Sequence, residues 1–254
     1  DAAMYKSKRT CPGRYHFYSE EMNVEIKLRF EMLQDLRNAI DQDQFFLVYQ
    51  PKIEATTGNV IGAEALIRWN SPRFGMVSPI QFISLIDELG MTQVLGEWVI
   101  NQVCAQMATW DNQGHPPIGV SVNISPIQFS TDEIISQVQS ALNKNCLSAS
   151  RLELEILESV AIDSSGDLNQ TLRKLRDMNI SIALDDFGTG YSSLVYLTKL
   201  PANTLKIDQG FIVNLLNDLQ QQAIVAQIIS LAKILGFKVV AEGVEEESQA
   251  QILG

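Results

Sequence analysis

The sequence predicts an α/β barrel of the (β/α)8, TIM-like class. Strand-like apolar runs alternate with helical ones along almost all of its 254 residues, and most of these strands place an isolated polar residue opposite an apolar face. The composition suits such a core: 46% of the residues are hydrophobic, and no apolar run approaches the roughly 18 residues needed to span a bilayer.

Residues 20 to 42 carry Met22, Ile26, Phe30, Leu33, Leu36 and Ile40 at spacings of three or four, which predicts an amphipathic connector helix leading into the barrel. Strands are expected at 45–53, 60–69, 118–124, 151–157, 179–185, 203–208 and 236–242. Helices are expected at 79–89, 92–110, 131–143, 166–177 and 217–235, with a further helix starting before Gly254. A closed barrel of this class has eight strands, so the last strand and helix are expected beyond the given C-terminus. The chain begins with Asp1 rather than Met and opens on DAAMYKSKRT, which has no apolar core and is no secretory signal. It is expected to derive from a longer protein.

Charge and residue counts exclude several function classes. The 19 basic and 30 acidic residues give a net charge of −11, which argues against a nucleic-acid polymer as partner. Cys11, Cys104 and Cys146 are odd in number and widely spaced, a pattern of three inert thiols in a reducing compartment rather than a disulfide or zinc framework. With only His16 and His115 available, a histidine-based triad is not expected, and the chemistry is sought among carboxylates.

Side chains alternate across a strand, so every second residue shares a face. In 60–69, Ile61, Ala63, Ala65, Ile67 and Trp69 oppose Glu64, Leu66 and Arg68. The later strands likewise turn Asn123, Glu155, Asp185, Lys206 with Asp208, and Glu242 away from their apolar faces. In a parallel barrel such groups gather at the C-terminal mouth, with Asp186 following at the strand-to-loop junction. Glu64, Glu155, Asp185, Asp186 and Glu242 against Lys206 leave a strong negative excess that crowded carboxylates cannot carry without counter-charge. Two divalent cations would balance it. Oxygen ligands without Cys or His favour Mg²⁺ or Mn²⁺. Such a two-cation site suits water attack on a phosphodiester. A glycosidase on a similar barrel, using Glu64 and Glu155 as acid and base, is the rival from another chemistry.

At these residues the sequence resembles the EAL family of cyclic di-GMP phosphodiesterases. The motifs are AEALIRW with Glu64-Ala65-Leu66, YQP at 49–51, VNIS at 122–125, ELEILES at 153–159, DDFGTGYSS at 185–193, LKID at 205–208 and AEGVE at 241–245. The resemblance implies a barrel whose first strand runs antiparallel to the others. It further implies metal ligands at Glu64, Asn123, Glu155, Asp185, Asp186 and Glu242, and a catalytic Lys206 beside Glu64 that orients or deprotonates the attacking water, with a pKa lowered by the cations. Gln50, Leu66, Arg68 and Asp208 are implied to hold the dinucleotide, Arg68 at a phosphate oxygen. Glu158 is implied to anchor a loop and Glu245 to support the site.

The activity implied is hydrolysis of cyclic di-GMP to linear pGpG, with a non-catalytic cyclic di-GMP receptor of the same fold as the alternative. A homodimer is also implied, with the loop 186–193, bearing Gly188 and Gly190, coupling dimer packing to metal occupancy. Leu157 stands where the family usually has threonine and is expected to point away from the ligands. The family's final glutamine-glycine signature is not found in the sequence. Residues 1–19 resemble the end of a GGDEF domain. The expected division is thus a GGDEF-like remnant at 1–19, the connector helix at 20–42 and the EAL domain at 43–254. The parent would carry GGDEF and EAL domains in tandem, with a sensor further upstream left open. A cytoplasmic location is expected, with no membrane contact by this segment, whether or not the parent is membrane-anchored.

Overall fold

The computed structural model describes residues 20–129, 132–163, 166–189 and 197–253. The GGDEF-like segment 1–19, with Cys11 and His16, lies outside the described residues, as do positions 190–193 of the glycine-bearing loop. The elements in chain order are α1 (Glu20–Leu36), β1 (Phe45–Ile53), β2 (Val60–Ser71), β3 (Gly75–Val77), α2 (Pro79–Glu88), α3 (Thr92–Asn112) and β4 (Gly119–Asn123). There follow α4 (Glu133–Lys144), β5 (Leu152–Leu157), α5 (Glu158–Asp163), α6 (Gly166–Asp177), β6 (Ser181–Phe187), β7 (Thr204–Ile207), α7 (Leu219–Leu235), β8 (Lys238–Ala241) and α8 (Glu247–Leu253).

The sheet has the order β1-β2-β4-β5-β6-β7-β8, with β3 paired to β2 outside that path. From β2 through β8 the successive neighbours along this path are parallel, and among the described residues helices lie in the crossovers from β2 to β4, β4 to β5, β5 to β6 and β7 to β8, as parallel pairing requires. β1 reaches β2 through a short turn. Glu54 N donates to Asn59 O at 2.9 Å, and further out Asn70 N donates to Gln44 O at 3.0 Å, a pairing that runs antiparallel. All seven expected strands are present, with ends shifted by two residues or fewer. The strand the periodicity misses is β3, where three residues are too few to show alternation.

The chain divides into two compact units. The first, residues 1–46 with 67–91, is built around Phe45, Trp69 and Phe82, whose ring centroids lie 5.6 to 6.2 Å apart. The buried Trp69 indole donates to Gln44 Oε1 at 3.0 Å, so its polar atom is satisfied inside an apolar cluster. Helix α1 is shorter than the 20–42 spacing predicts: it ends at Leu36, and 37–43 form turns, with Asp43 in the left-handed region at φ 52°. Its expected apolar stripe is buried only toward the C-terminal end. Leu36 is fully buried, whereas Phe30 is 59% exposed.

The second unit, residues 47–66 with 92–254, holds the parallel strands and the candidate site. Val120, Val122, Leu152, Leu154, Ile156, Ile182, Leu184, Leu205 and Ile207 are all buried, which accounts for one face of four adjacent strands. Alternation therefore turns the polar residues of those strands to the opposite face. Cys104 is buried and Cys146 exposed, and both are free thiols. Among the described residues no helix is long and apolar enough to cross a membrane.

Candidate active site

On the polar face of the second unit, the site is organised around one ammonium group. Lys206, from the middle of β7, is 1% exposed. Its Nζ lies 3.2 Å from Glu64 Oε2 on β2, 3.0 Å from Asp185 Oδ1 on β6 and 2.6 Å from Glu242 Oε1 just beyond β8. It also donates to Glu155 Oε2 on β5. Asn123, in register with Glu155, donates through Nδ2 to Glu64 Oε1 at 2.8 Å. Five strands and the residue after a sixth thus deliver groups to one locus. That is what period-two alternation in adjacent parallel strands produces when each strand carries its polar residue near the same end.

Asp186 requires a separate account, since strict alternation would send it to the face opposite Asp185. The register of β6 with β7 slips between Leu184 and Phe187, and Asp186 takes φ 54°. A bulge of this kind re-aims a side chain, and Asp tolerates the left-handed region better than most residues. Asp186 N donates to Asp185 Oδ1 at 3.0 Å, and Asp185, Asp186 and Glu242 each offer a carboxylate oxygen within 4.8 Å of the others. Such a set, all oxygen and without Cys or His, fits a hard divalent cation.

The electrostatics follow from burial. Burial pushes the Glu64 carboxyl above the usual range, and neighbouring Glu155 adds to this against the opposing pull of Lys206. Burial likewise raises Glu242, with Lys206 again opposing. Asp186 is raised by burial, then by Asp185 and Asp208. Glu155 goes the other way: burial would raise it, but Lys206 and Lys52 outweigh that and hold it low. For Lys206, burial alone would lower the ammonium, yet Glu155, Glu64 and Asp185 together drive it well above its ordinary value. The lowering expected from the sequence was tied to bound cations. From the protein's own groups the shift is upward, and reversing it requires cations to draw the carboxylates off Nζ.

The sequence reading missed Lys52. It lies on β1 two residues after Gln50, on the same face, and its Nζ reaches Glu153 Oε1 at 2.9 Å and Glu155 Oε1 at 3.0 Å. Glu153 in turn accepts from Thr204 Oγ1 at 2.7 Å. The full cluster sets six carboxylates (Glu64, Glu153, Glu155, Asp185, Asp186, Glu242) against two ammonium groups. The excess is four negative charges, which equals the charge of two divalent cations.

The remaining predicted residues are placed as follows. Gln50 is exposed on β1, and Leu66 is half-buried two residues after Glu64. Arg68 belongs to the first unit, where its Nη1 donates to the Ile67 carbonyl at 2.9 Å. Asp208 Oδ1 accepts from Gly210 N at 2.9 Å and so caps the short 3-10 turn of Gln209–Phe211. Glu158 is buried and its Oε2 accepts from Gly188 N at 2.9 Å, tying the start of α5 to the segment after β6. Glu245 is exposed, its backbone N donating to Gln249 Oε1 at 2.8 Å. Leu157 does not point away from the ligands. It shares the Glu153 and Glu155 face by period-two alternation, pairs in register with Asp185 and is 41% exposed.

Gly188 has φ 96°, and a Cβ there would sit 2.7 Å from Phe211 Cε2. Gly188→Ala should therefore cost about 1–3 kcal/mol of stability through strain and overpacking. A urea unfolding midpoint unchanged from wild type would contradict that packing.

Comparison with known proteins shows the family. The EAL domain model matches residues 33–254. The chain belongs to the EAL domain family. It is 42% identical over 253 residues to the bifunctional diguanylate cyclase/cyclic di-GMP phosphodiesterase MucR of Pseudomonas aeruginosa, covering 100% of this chain and 37% of MucR. It is 35% identical over 251 residues to the cyclic di-GMP phosphodiesterase NbdA of the same organism, covering 99% of this chain and 32% of NbdA. The chain thus spans about a third of the length of these curated relatives. Among solved structures, the MucR phosphodiesterase in complex with c-di-GMP superposes with a TM-score of 0.83 at 43% identity, covering 88% of this chain and 90% of that one. The EAL domain of Mycobacterium smegmatis DcpA gives 0.70 at 35% identity, covering 82% and 85%. The fold is accordingly the TIM-like barrel of EAL type, first strand antiparallel, as expected from the sequence.

Proposed function

We propose that this EAL domain hydrolyses cyclic di-GMP to linear pGpG using Mg²⁺ or Mn²⁺. The observation carrying the reading is the enclosure of the buried Lys206 by four carboxylates, with Asp185, Asp186 and Glu242 converging beside it. The names of MucR and NbdA as phosphodiesterases, and the c-di-GMP bound to MucR, support it.

Glu64, Asn123, Glu155, Asp185, Asp186 and Glu242 would hold the cations, which when bound polarise a water and stabilise charge on the phosphate oxygens. Lys206 then orients that water or takes its proton, since carboxylates committed to cations no longer hold the ammonium fully charged. Water oxygen attacks phosphorus and the bond from phosphorus to the 3′ oxygen breaks. The freed 3′ hydroxyl takes up a proton and the 5′-phosphate of pGpG remains. Gln50, Leu66, Arg68 and Asp208 are the residues assigned to the dinucleotide, with Arg68 suited to a phosphate oxygen. Glu158 holds Gly188, two residues after Asp186, and Glu245 is assigned a supporting part. The parent chain is read as a cytoplasmic GGDEF-EAL tandem acting as a homodimer, divided at 1–19, 20–42 and 43–254.

Incubation with cyclic di-GMP should yield pGpG only with added Mg²⁺ or Mn²⁺, and a chelator should abolish turnover. Turnover that persists in chelator contradicts the metal reading, and tight binding without product favours the receptor.

A further inference from the structure

The geometry points to Lys52 as a positioning residue for the metal-binding carboxylate Glu155, an inference that rests on the proposed metal site. Glu155 has no exposed side-chain surface, and both its oxygens are engaged: Oε2 by Lys206, Oε1 by Lys52 at 3.0 Å. A carboxylate held from two sides by ammonium groups on different strands has one orientation available to it. Lys52 is itself fixed, because its second bond runs to Glu153 Oε1 at 2.9 Å and Glu153 is pinned by Thr204 Oγ1 at 2.7 Å. Glu153 and Glu155 lie two apart on β5, so one ammonium spans consecutive positions of the same face.

The floor of the site is then the chain Thr204, Glu153, Lys52, Glu155, with Lys206 above it. Lys52 pairs with Glu153 and Glu155 and with neither Asp185 nor Glu242 among the ion pairs seen. Its action on a cation passes through Glu155 alone. Supporting groups of this kind commonly change metal affinity by about 10–100-fold when removed.

The test compares Lys52→Met, Lys52→Arg and the double variant Lys52→Met with Glu153→Gln, which removes both partners of the supporting pair. Three measurements are made: Mn²⁺ affinity by titration calorimetry, kcat and KM for cyclic di-GMP, and a crystal structure of the metal-free variant. Lys52→Met should weaken Mn²⁺ about 10–100-fold and lower kcat while KM moves little. Lys52→Arg should recover most of both, and the Glu155 carboxylate should be rotated in the methionine variant. Glu155 found in its wild-type orientation in Lys52→Met and in the double variant overturns the proposal, whatever the activity. Unchanged Mn²⁺ affinity does the same. Failure of wild-type protein to bind Mn²⁺ or to turn over substrate would instead count against the proposed function, with the crystallographic result still deciding the role of Lys52.

Discussion

Lys206→Met should lose about 100-fold to 10,000-fold in hydrolysis, the range expected when a group that handles the attacking water is removed. The same variant should lose about 3–5 kcal/mol of stability at neutral pH, because breaking a buried ion pair from one side leaves uncompensated charge. The loss is expected to be large here because four carboxylates lean on a single ammonium. Lys52 remains to hold one oxygen of Glu155 but reaches none of the other three. The pH dependence has a definite sign. Glu64 and Glu242 already titrate above their unfolded values and lose the opposing pull of Lys206, so the folded form binds more protons, and stability is regained as pH falls through that raised range. Glu64 and Glu242 are pushed upward even in the presence of Lys206, so they should protonate early. Divalent cations should restore part of the stability at neutral pH by supplying the missing positive charge. Urea unfolding at neutral and mildly acidic pH, with and without Mn²⁺, reads all of this. A loss that stays constant with pH would mean the carboxylates are not electrostatically dependent on Lys206.

How far this site was legible in the sequence depended on how each residue gets its direction. Glu64, Asn123, Glu155, Asp185 and Lys206 follow the alternation rule within regular strands, and the apolar residues between them identify the face. Asp186 does not follow it. Its side chain joins Asp185 because of a register slip and a left-handed backbone, and neither leaves a periodic trace in the amino-acid string. Lys52 was accessible by parity, being two residues from Gln50. Parity gives its face but not its partners on β5, Glu153 and Glu155, which only the folded structure brings to it. Leu157, expected to point away from the ligands, is put with Glu155 by the same parity. Its 41% exposure shows it at the solvent side of that face, where an apolar side chain costs little. The connector helix fails differently. Periodicity reports which residues would share a face but not whether anything covers that face, and Phe30 remains largely exposed.

Glu64→Ala separates catalysis from folding more cleanly than any change at Lys206. Glu64 accepts one bond from Asn123 and one from Lys206, but burial already pushes its carboxyl upward, so ionised Glu64 is held against its own desolvation. Removing it takes away one of the four carboxylates on Lys206 and leaves Glu155, Asp185 and Glu242 in place. The stability change should therefore stay within about 1 kcal/mol, near the centre of the range for ordinary substitutions. Activity should behave differently. A ligand that contacts a cation directly should matter more than a supporting group, whose removal costs up to about 100-fold, so hydrolysis is expected to fall by at least that factor. Added Mn²⁺ should recover only a minor share, because Asn123 loses its carboxylate partner as well and both groups on that side of the site lose their fixed geometry. A variant that unfolds at the wild-type urea concentration and retains activity within tenfold of wild type would remove Glu64 from the catalytic set, and with it the reading in which the carboxylates from β2, β5, β6 and the end of β8 share the cations.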